Sequence, residues 1–366
     1  MKIEITKENL SKTVGLSSRA VGQRPTTPIL NNLLIKTKDG GIKTTGTNLD
    51  TTISSWVPAK IVTAGETTVP ARLLNELLSV IKDEKVSLEQ DKEILVLRTI
   101  KTQAKIPTIS AAEFPKLTEK KAGGGKELKK AVLTQTAKEV GIAASQDEGR
   151  PVLTGVLFRP EKEKAIVVAT DGYRLAKKEI NKVLDEEFII PARGLSELVK
   201  LTGESESDSV RIEVSLTDSQ ARFTTGHIEY YTKLIAGDFP QFDQIIPKEF
   251  STSVVLDKDS ILDSLKIVST FARDVGSVVQ LSFKDDESLI STSAPQVGES
   301  QVRINPRLKG QNLKIAFNSR YLSEGIKAVK GKTVEIKFSG SAGPALIKSV
   351  EDDSFIYIVM PVRNQT

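Results

Sequence analysis

Residues 69–78 read VPARLLNELL, and residues 190–199 read IPARGLSELV. Aligning Pro70 with Pro191 places the two copies 121 residues apart. A third and more divergent copy, FNSRYLSEGIKAV, begins at Phe317 and has Asn-Ser-Arg where the others have Pro-Ala-Arg. Repeated units in one chain usually share one type of local structure. The recurrence therefore indicates three similar units.

The segments around the three copies also recur. A β-rich segment precedes each copy (ETTVP, EEFIIP, NLKIAF), and another follows its helical pattern (KVSLEQ, SVRIEVS, TVEIKFS). Leu74, Leu77 and Leu78 illustrate the apolar face of these helices. A second recurring unit, a strand leading into an amphipathic helix, begins with MKIEITKENL, KELKKAVLTQ and STSVVLDKDS. The pattern predicts an α+β unit with mainly antiparallel sheets, present three times.

Two connectors divide the chain. The Gly- and Lys-rich segment KKAGGGKE spans residues 120–127, and the shorter PKEFSTS begins at Pro247. Such compositions are typical of links between compact units. We expect three domains, at 1–121, 122–247 and 248–366.

The composition favours a binding protein over an enzyme. Apolar residues make up 39% and charged residues 27%, as in ordinary soluble proteins, and no apolar run is long enough to span a membrane. The absence of cysteine and the presence of one histidine, His227, leave few ways to build a metal site or a general base. We expect no catalytic residue, no metal, no cofactor and a cytoplasmic location.

The charge alone gives only a weak indication of a partner. The formal net charge is +5, from 52 basic and 47 acidic residues, so a solvated surface of mixed charge is the better default. Three modules in series could instead bend into a ring that closes by dimerisation. If the basic helix faces lined such a ring, duplex phosphates would fit inside it.

Several motifs resemble one known family. They are RPTTPILNNLLI, TGTNLDTTI, TTVPAR, ATDGYRLA, GDFPQFDQIIP and VMPVR, at residues 24–35, 45–53, 67–72, 169–176, 237–247 and 359–363. In order and spacing they resemble the bacterial DNA polymerase III beta subunit, the replicative sliding clamp. The resemblance implies a head-to-tail homodimeric ring, with helices lining the hole and antiparallel sheets outside. It also implies that the ring encircles double-stranded DNA, without sequence specificity and near the nucleoid.

The resemblance further implies a pocket for short peptides. Through it the family binds the replicative polymerase, the clamp loader, repair polymerases and other replication proteins. Carried over by motif, the wall comprises Leu153, Thr170, Gly172, Tyr173, Arg174, Leu175, Pro240, Ile245, Asn318, Tyr321, Val359, Met360, Pro361, Val362 and Arg363. Tyr173 stands where many members have histidine, Gln244 where some have arginine, and residues 364–366 extend past a common end point.

The remaining residues implied by the resemblance concern DNA and the ring seam. The candidate DNA contacts are Arg24, Gln146 and Arg150, and the candidate seam residues are Ile106 and Phe271.

Two competing functions stay open at this point. A phosphotransferase or nuclease would use Asp50, Asp171 and Arg174. However, Asp50 lies in a different repeat from Asp171 and Arg174, and no glycine-rich phosphate loop accompanies them. A passive scaffold would form the dimer without ever binding DNA.

Overall fold

The computed structural model of the protein describes residues 1–22, 27–116, 125–182, 185–273, 276–284, 286–294, 296 and 298–362. Its contacts divide the chain into two compact units. Unit 1 contains Met1–Ala131 and Ser196–Leu234, and unit 2 contains Val132–Leu195 and the chain from Ile235 onward. The units follow contacts and do not coincide with the repeats of the sequence.

The helices confirm the predicted pattern of two per repeat. Within the described residues they are α1 (Lys7–Ser18), α2 (Ala71–Val80), α3 (Lys130–Val140), α4 (Ala192–Gly203), α5 (Lys258–Ala272) and α6 (Ser319–Ala328). Side-chain caps fix where several of them begin. Thr6 accepts a hydrogen bond from the amide of Asn9, and Asp257 accepts one from the amide of Ser260.

The strands follow in chain order. The first third contains β1 (Lys2–Thr6), β2 (Asn32–Lys38), β3 (Gly41–Thr47), β4 (Thr51–Pro58), β5 (Lys60–Thr63), β6 (Glu66–Pro70), β7 (Lys85–Asp91), β8 (Ile94–Arg98) and β9 (Gln103–Pro107). The middle third contains β10 (Lys126–Lys129), β11 (Gly155–Pro160), β12 (Lys164–Thr170), β13 (Arg174–Asn181), β14 (Phe188–Pro191), β15 (Ser209–Ser215), β16 (Gln220–Thr225) and β17 (Ile228–Lys233). The last third contains β18 (Thr252–Asp257), β19 (Val278–Phe283), β20 (Ser288–Ala294), β21 (Gly298–Ile304), β22 (Arg307–Gly310), β23 (Leu313–Asn318), β24 (Thr333–Phe338), β25 (Ala345–Ser349) and β26 (Phe355–Val359).

Unit 1 contains two antiparallel sheets. The smaller has five strands in the order β5-β1-β7-β8-β9, and the larger has eight in the order β10-β15-β16-β17-β4-β3-β2-β6. The larger sheet joins two repeats, because β17 pairs with β4 and Tyr230 lies opposite Ile53. Val14, Leu74 and Leu88 belong to one buried apolar cluster, so α1 and α2 pack on the sheet strands.

Unit 2 has the same arrangement. A nine-stranded sheet runs β14-β11-β12-β13-β26-β25-β24-β18-β22, and a four-stranded sheet runs β21-β20-β19-β23. Here β13 of the middle repeat pairs with β26 of the last, and Leu175 lies opposite Ile358. Both residues are buried in one cluster with Phe242. Strands from distant parts of the sequence therefore meet at the position of the candidate pocket.

Candidate functional site

The turn between β12 and β13 presents an exposed aromatic side chain. One carboxylate oxygen of Asp171 accepts hydrogen bonds from the backbone amides of Tyr173 and Arg174, at 2.9 and 3.0 Å. Gly172 has φ +92°, a conformation that glycine adopts without a steric penalty. The turn is therefore held by hydrogen bonds, and Tyr173 at its tip is 62% exposed.

The segment after β26 runs beside this turn. The amide of Met360 donates to the carbonyl of Tyr173 at 2.9 Å. Two residues later the amide of Val362 donates to the carbonyl of Ala316 at 2.8 Å, on β23. Met360 is 38% exposed. Pro361 lies between the two hydrogen bonds, so the segment bridges the turn and β23.

The start of α6 adds the third side of the site. The side-chain oxygen of Asn318 accepts hydrogen bonds from the backbone amides of Arg320 and Tyr321, at 3.0 and 3.2 Å, and so caps the helix. The carbonyl of Tyr321 accepts a hydrogen bond from the hydroxyl of Tyr357 at 3.1 Å. These bonds fix the first turn of α6, from which the Tyr321 side chain projects.

Arg174 connects the turn to α6. Its Nε lies 3.0 Å from the carboxylate of Asp171, and its Nη1 pairs with the carboxylate of Glu324. The guanidinium carbon lies 4.2 Å from the ring centroid of Tyr321, within the range of a cation–π contact. Arg174 is 7% exposed, so these contacts replace most of its solvent.

The ionisation of this group of residues is fixed at neutral pH. Burial opposes the charge on Arg174, but Tyr357 and Glu324 favour it by more, so the pKa of Arg174 lies above its ordinary value. Burial would raise the pKa of Glu324, but hydrogen bonds from Arg320 and Arg174 outweigh burial and lower it. Both groups are therefore charged, and the pair is ionic.

The other predicted wall residues differ in accessibility. Pro240 is exposed and Ile245 is 41% exposed, whereas Leu153, Thr170 and Val359 are buried. Leu175 is 1% exposed and belongs to the core cluster, so it supports the site from below. Three more residues pack against that cluster, and each is next in the chain to a predicted wall residue. They are Val152 beside Leu153, Phe239 beside Pro240 and Ile246 beside Ile245. Gln244, exposed, bonds the side chain of Gln241 at 2.8 Å.

The remaining predicted residues include several that lie outside the described residues. Arg24, Arg363 and residues 364–366 are outside the described part of the chain. Gln146 is exposed, and Arg150 pairs with Asp147 at 3.3 Å. A Cβ on Gly172 would lie 3.8 Å from a guanidinium nitrogen of Arg150, so this arginine adjoins the turn.

The two predicted seam residues have different environments. Ile106 is 1% exposed and packs in the core of unit 1, on the edge strand β9. Phe271 is half-buried in α5. Ile106 therefore supports its own sheet in this chain.

The sequence analysis missed Glu324, which holds Arg174. A signal was present, because Arg and Glu recur four residues apart in all three copies: Arg72 with Glu76, Arg193 with Glu197, and Arg320 with Glu324. In a helix this spacing places the two side chains on one face. What the spacing does not reveal is the third partner, Arg174, which comes from another repeat.

The residues of the competing enzyme hypothesis are engaged in ion pairs. Asp50 lies 2.9 Å from Nζ of Lys233, and Asp171 bonds Arg174. In the part of the chain that the structure describes, no three His, Cys, Asp or Glu residues are grouped as metal ligands. Within the same residues, no helix combines the length and apolar character needed to cross a bilayer.

Triplicated helix-and-sheet units of this kind define the DNA clamp fold, and comparisons with known proteins give the family. The chain matches the DNA polymerase III beta subunit N-terminal domain over residues 1–118, the central domain over 127–241 and the C-terminal domain over 243–363. The chain belongs to the DNA polymerase III beta subunit family. Members of this family are sliding clamps, non-catalytic processivity factors of DNA replication, and a homodimeric ring is typical of them.

Individual relatives align with this chain over nearly its whole length. The beta sliding clamp of Bacillus subtilis is 27% identical over 379 aligned positions, which cover 99% of this chain and 100% of the relative. The beta subunit of Streptococcus pyogenes superimposes with a TM-score of 0.95 at 25% identity, covering 100% of both chains. The sliding clamp of Bartonella birtlesii, solved bound to griselimycin, gives a TM-score of 0.93 at 28% identity, again covering 100% of both chains.

Proposed function

We propose that the chain forms a homodimeric ring that encircles duplex DNA and tethers the replicative polymerase. The observation that carries the tethering part is the convergence of the Tyr173 turn, the Met360 segment and the first turn of α6, which together offer an exposed aromatic and a flexible thioether. Varied peptides can share a site lined by aliphatic, aromatic and methionine side chains. The proposed clients are the polymerase, the clamp loader, repair polymerases and other replication proteins.

Five further assignments belong to this proposal, namely the domains, the location, the cleft, the DNA contacts and the seam. The domains span 1–121, 122–247 and 248–366, and the ring works in the cytoplasm at the nucleoid. The peptide cleft consists of the fifteen wall residues named above. Arg24, Gln146 and Arg150 contact DNA, and Ile106 and Phe271 lie at the seam.

The DNA contacts are supported by charge at repeated positions. Arg72, Arg193 and Arg320 each lie in the first turn of α2, α4 or α6, and their side chains are 92%, 83% and 65% exposed. Exposed guanidinium groups at equivalent positions of three repeats suit loose, salt-dependent contacts with phosphates.

Encirclement is tested on nicked circular DNA after loading by a bacterial clamp loader. The protein should co-elute with the circle on gel filtration and be lost when the same DNA is linearised. Equal retention on both forms would mean direct adhesion and would overturn the ring. Release from both forms, with a dimer in solution, would favour the passive scaffold.

The peptide cleft is tested separately with griselimycin. We expect the unmodified chain to bind it, and Met360→Ala or Tyr173→Ala to weaken binding about tenfold or more, as for central contact residues. Leu216→Ala is the matched control, because Leu216 is also exposed, at 50%, but lies on unit 1. Equal affinities in all variants would remove the cleft assignment.

The seam assignment is tested by the dimer dissociation constant. Phe271→Ala should raise it, measured by sedimentation at decreasing protein concentration. An unchanged constant would exclude Phe271 from the interface.

A further inference from the structure

One carboxylate on α6 is shared between a buried and an exposed arginine. Oε2 of Glu324 pairs with Nη1 of Arg174, while Oε1 accepts a hydrogen bond from Nε of Arg320 at 2.8 Å. The three side chains are 7%, 27% and 65% exposed, in the order Arg174, Glu324 and Arg320. The Glu324 carboxylate therefore lies between the candidate cleft and the helix surface.

The buried end of this network fixes a wall of the cleft. The guanidinium of Arg174 lies over the ring of Tyr321, and its Nε donates a hydrogen bond to the carboxylate of Asp171. Any change in how firmly Glu324 holds the guanidinium therefore changes the restraint on the Tyr321 ring.

The exposed end has the same position as arginines in the other repeats. In the first repeat Arg72 and Glu76 form the same helix pair at 2.8 Å, with exposures of 92% and 60%. The residue of that repeat that aligns with Arg174 is Thr51, which carries no charge, since Thr47 and Thr170 begin the two equivalent turns. The link from the surface arginine Arg320 through Glu324 to the buried Arg174 therefore joins the last repeat to the middle repeat.

We propose that Glu324 couples the peptide cleft to a phosphate contact at Arg320. A phosphate on Arg320 draws its guanidinium away from Glu324, whose carboxylate then pairs with Arg174 alone. Arg174 and Tyr321 are held more rigidly, and a cleft ligand binds with a smaller loss of conformational freedom. The coupling rests on the proposed function, and it is reciprocal, so a cleft ligand also strengthens binding of the polyanion.

The test measures the affinity of griselimycin with and without a short blunt-ended duplex, at low salt. In the unmodified chain the duplex should tighten griselimycin binding by about fivefold to tenfold, in the lower part of the range for coupled sites. Arg320→Ala should abolish this effect and tighten griselimycin binding without DNA by a similar factor, because it also frees Glu324 from Arg320. Glu324→Gln should weaken griselimycin binding and also abolish the effect.

Arg72→Ala is the matched control. It removes an exposed arginine from the same helix pair in the first repeat, so it should weaken duplex binding about as much as Arg320→Ala does. The tightening of griselimycin by duplex should persist in this variant. Loss of the tightening in both variants would assign it to general charge and overturn the role of Glu324.

The remaining outcomes separate this inference from the function on which it rests. If duplex does not change the affinity of the unmodified chain for griselimycin, the coupling is overturned but the cleft assignment stands. No griselimycin binding overturns the cleft and the coupling together. Fluorescence anisotropy measures duplex binding in the same samples. If no duplex binds, the DNA contacts are overturned, and the coupling with them. Full tightening in Arg320→Ala also overturns the coupling.

Discussion

Lys178 and Glu139 form a buried ion pair in unit 2, with 3.0 Å between Nζ and Oε2 and side chains that are 7% and 1% exposed. Lys178 also donates to the hydroxyl of Ser354 at 2.9 Å. Lys178→Met should lower the free energy of unfolding by about 3 to 5 kcal/mol, because it leaves a carboxylate buried without its cation. Urea unfolding followed by circular dichroism measures the change.

Two variants serve as controls for this prediction. Lys178→Met combined with Glu139→Gln should cost less than Lys178→Met alone, because no charge is left unpaired. Lys36→Met removes an exposed pair with Glu66, where the side chains are 59% and 42% exposed, and should change stability by about 1 kcal/mol or less. A similar loss at Lys36 and Lys178 would contradict the role of burial.

Gly325 in α6 permits close contact with the ring of Tyr357. A Cβ at this position would lie 2.3 Å from Cδ1 of that buried ring. Gly325→Ala should therefore destabilise the protein by about 1 to 3 kcal/mol, as overpacking does, and weaken griselimycin binding through displacement of Tyr357. Gly15→Ala is the control in α1, where a Cβ meets no atom within 4 Å. Gly15→Ala should raise the free energy of unfolding by about 0.5 to 1 kcal/mol. A lower free energy of unfolding in Gly15→Ala would contradict the assignment of the Gly325→Ala effect to overpacking.

Leu49 has an unfavourable backbone conformation in the turn between β3 and β4. Its φ is +76°, at the turn position where the middle repeat has Gly172 with φ +92°. Because the side chain is 51% exposed, Leu49→Gly loses little burial and should raise the free energy of unfolding by up to about 1 kcal/mol. Leu216 is almost equally exposed, at 50%, but does not have a positive φ, so Leu216→Gly should lower the free energy of unfolding. Destabilisation by Leu49→Gly in urea titrations would show that the leucine side chain contributes more than the strain costs.

Glu229 should make the stability of unit 1 depend on acid pH. Its carboxylate accepts hydrogen bonds from Lys43 and Arg222, both at 2.6 Å. Burial raises the pKa of Glu229, but the two cations lower it by more, so the folded-state pKa lies below the ordinary value. The stabilisation is therefore present above that ordinary value and is lost as the pH falls through the folded-state pKa.

The measurement compares Glu229→Gln with the unmodified chain across pH. The substitution should cost about 1.5 to 3 kcal/mol at neutral pH, as expected for hydrogen bonds to charged groups, and progressively less in acid. Glu66→Gln, in the exposed pair with Lys36, should show a small difference at every pH. A pH-independent cost at Glu229 would mean that packing, and not charge, is lost.

Local structure could be predicted from the sequence because the relevant contacts are close along the chain. The helix after each repeated triplet begins at Ala71, Ala192 and Ser319, where the apolar spacing predicted it. The segment ETTVP is the strand β6, and Gly172, whose lack of a Cβ suits a tight turn, has a positive φ. Short-range periodicity and turn chemistry determine all of these features.

Pairing between repeats could not be predicted in the same way. Residues 174–181 and 355–359 form β13 and β26, but nothing in either sequence places Arg174 opposite Val359. Several antiparallel partners are compatible with one alternating pattern, and the choice depends on packing across long sequence separations. For the same reason the pairing of Arg174 with Glu324 was missed, and the burial of the predicted wall residue Leu175 in the core cluster was not foreseen.

The pairing of β13 with β26 also orders events during protein synthesis. The ribosome makes the Tyr173 turn long before it makes Met360, so the nascent chain carries an unpaired edge at β13 for much of translation. The site that joins Tyr173, Met360 and Tyr321 cannot assemble until β26 has left the exit tunnel. The candidate cleft is therefore absent from an unfinished chain.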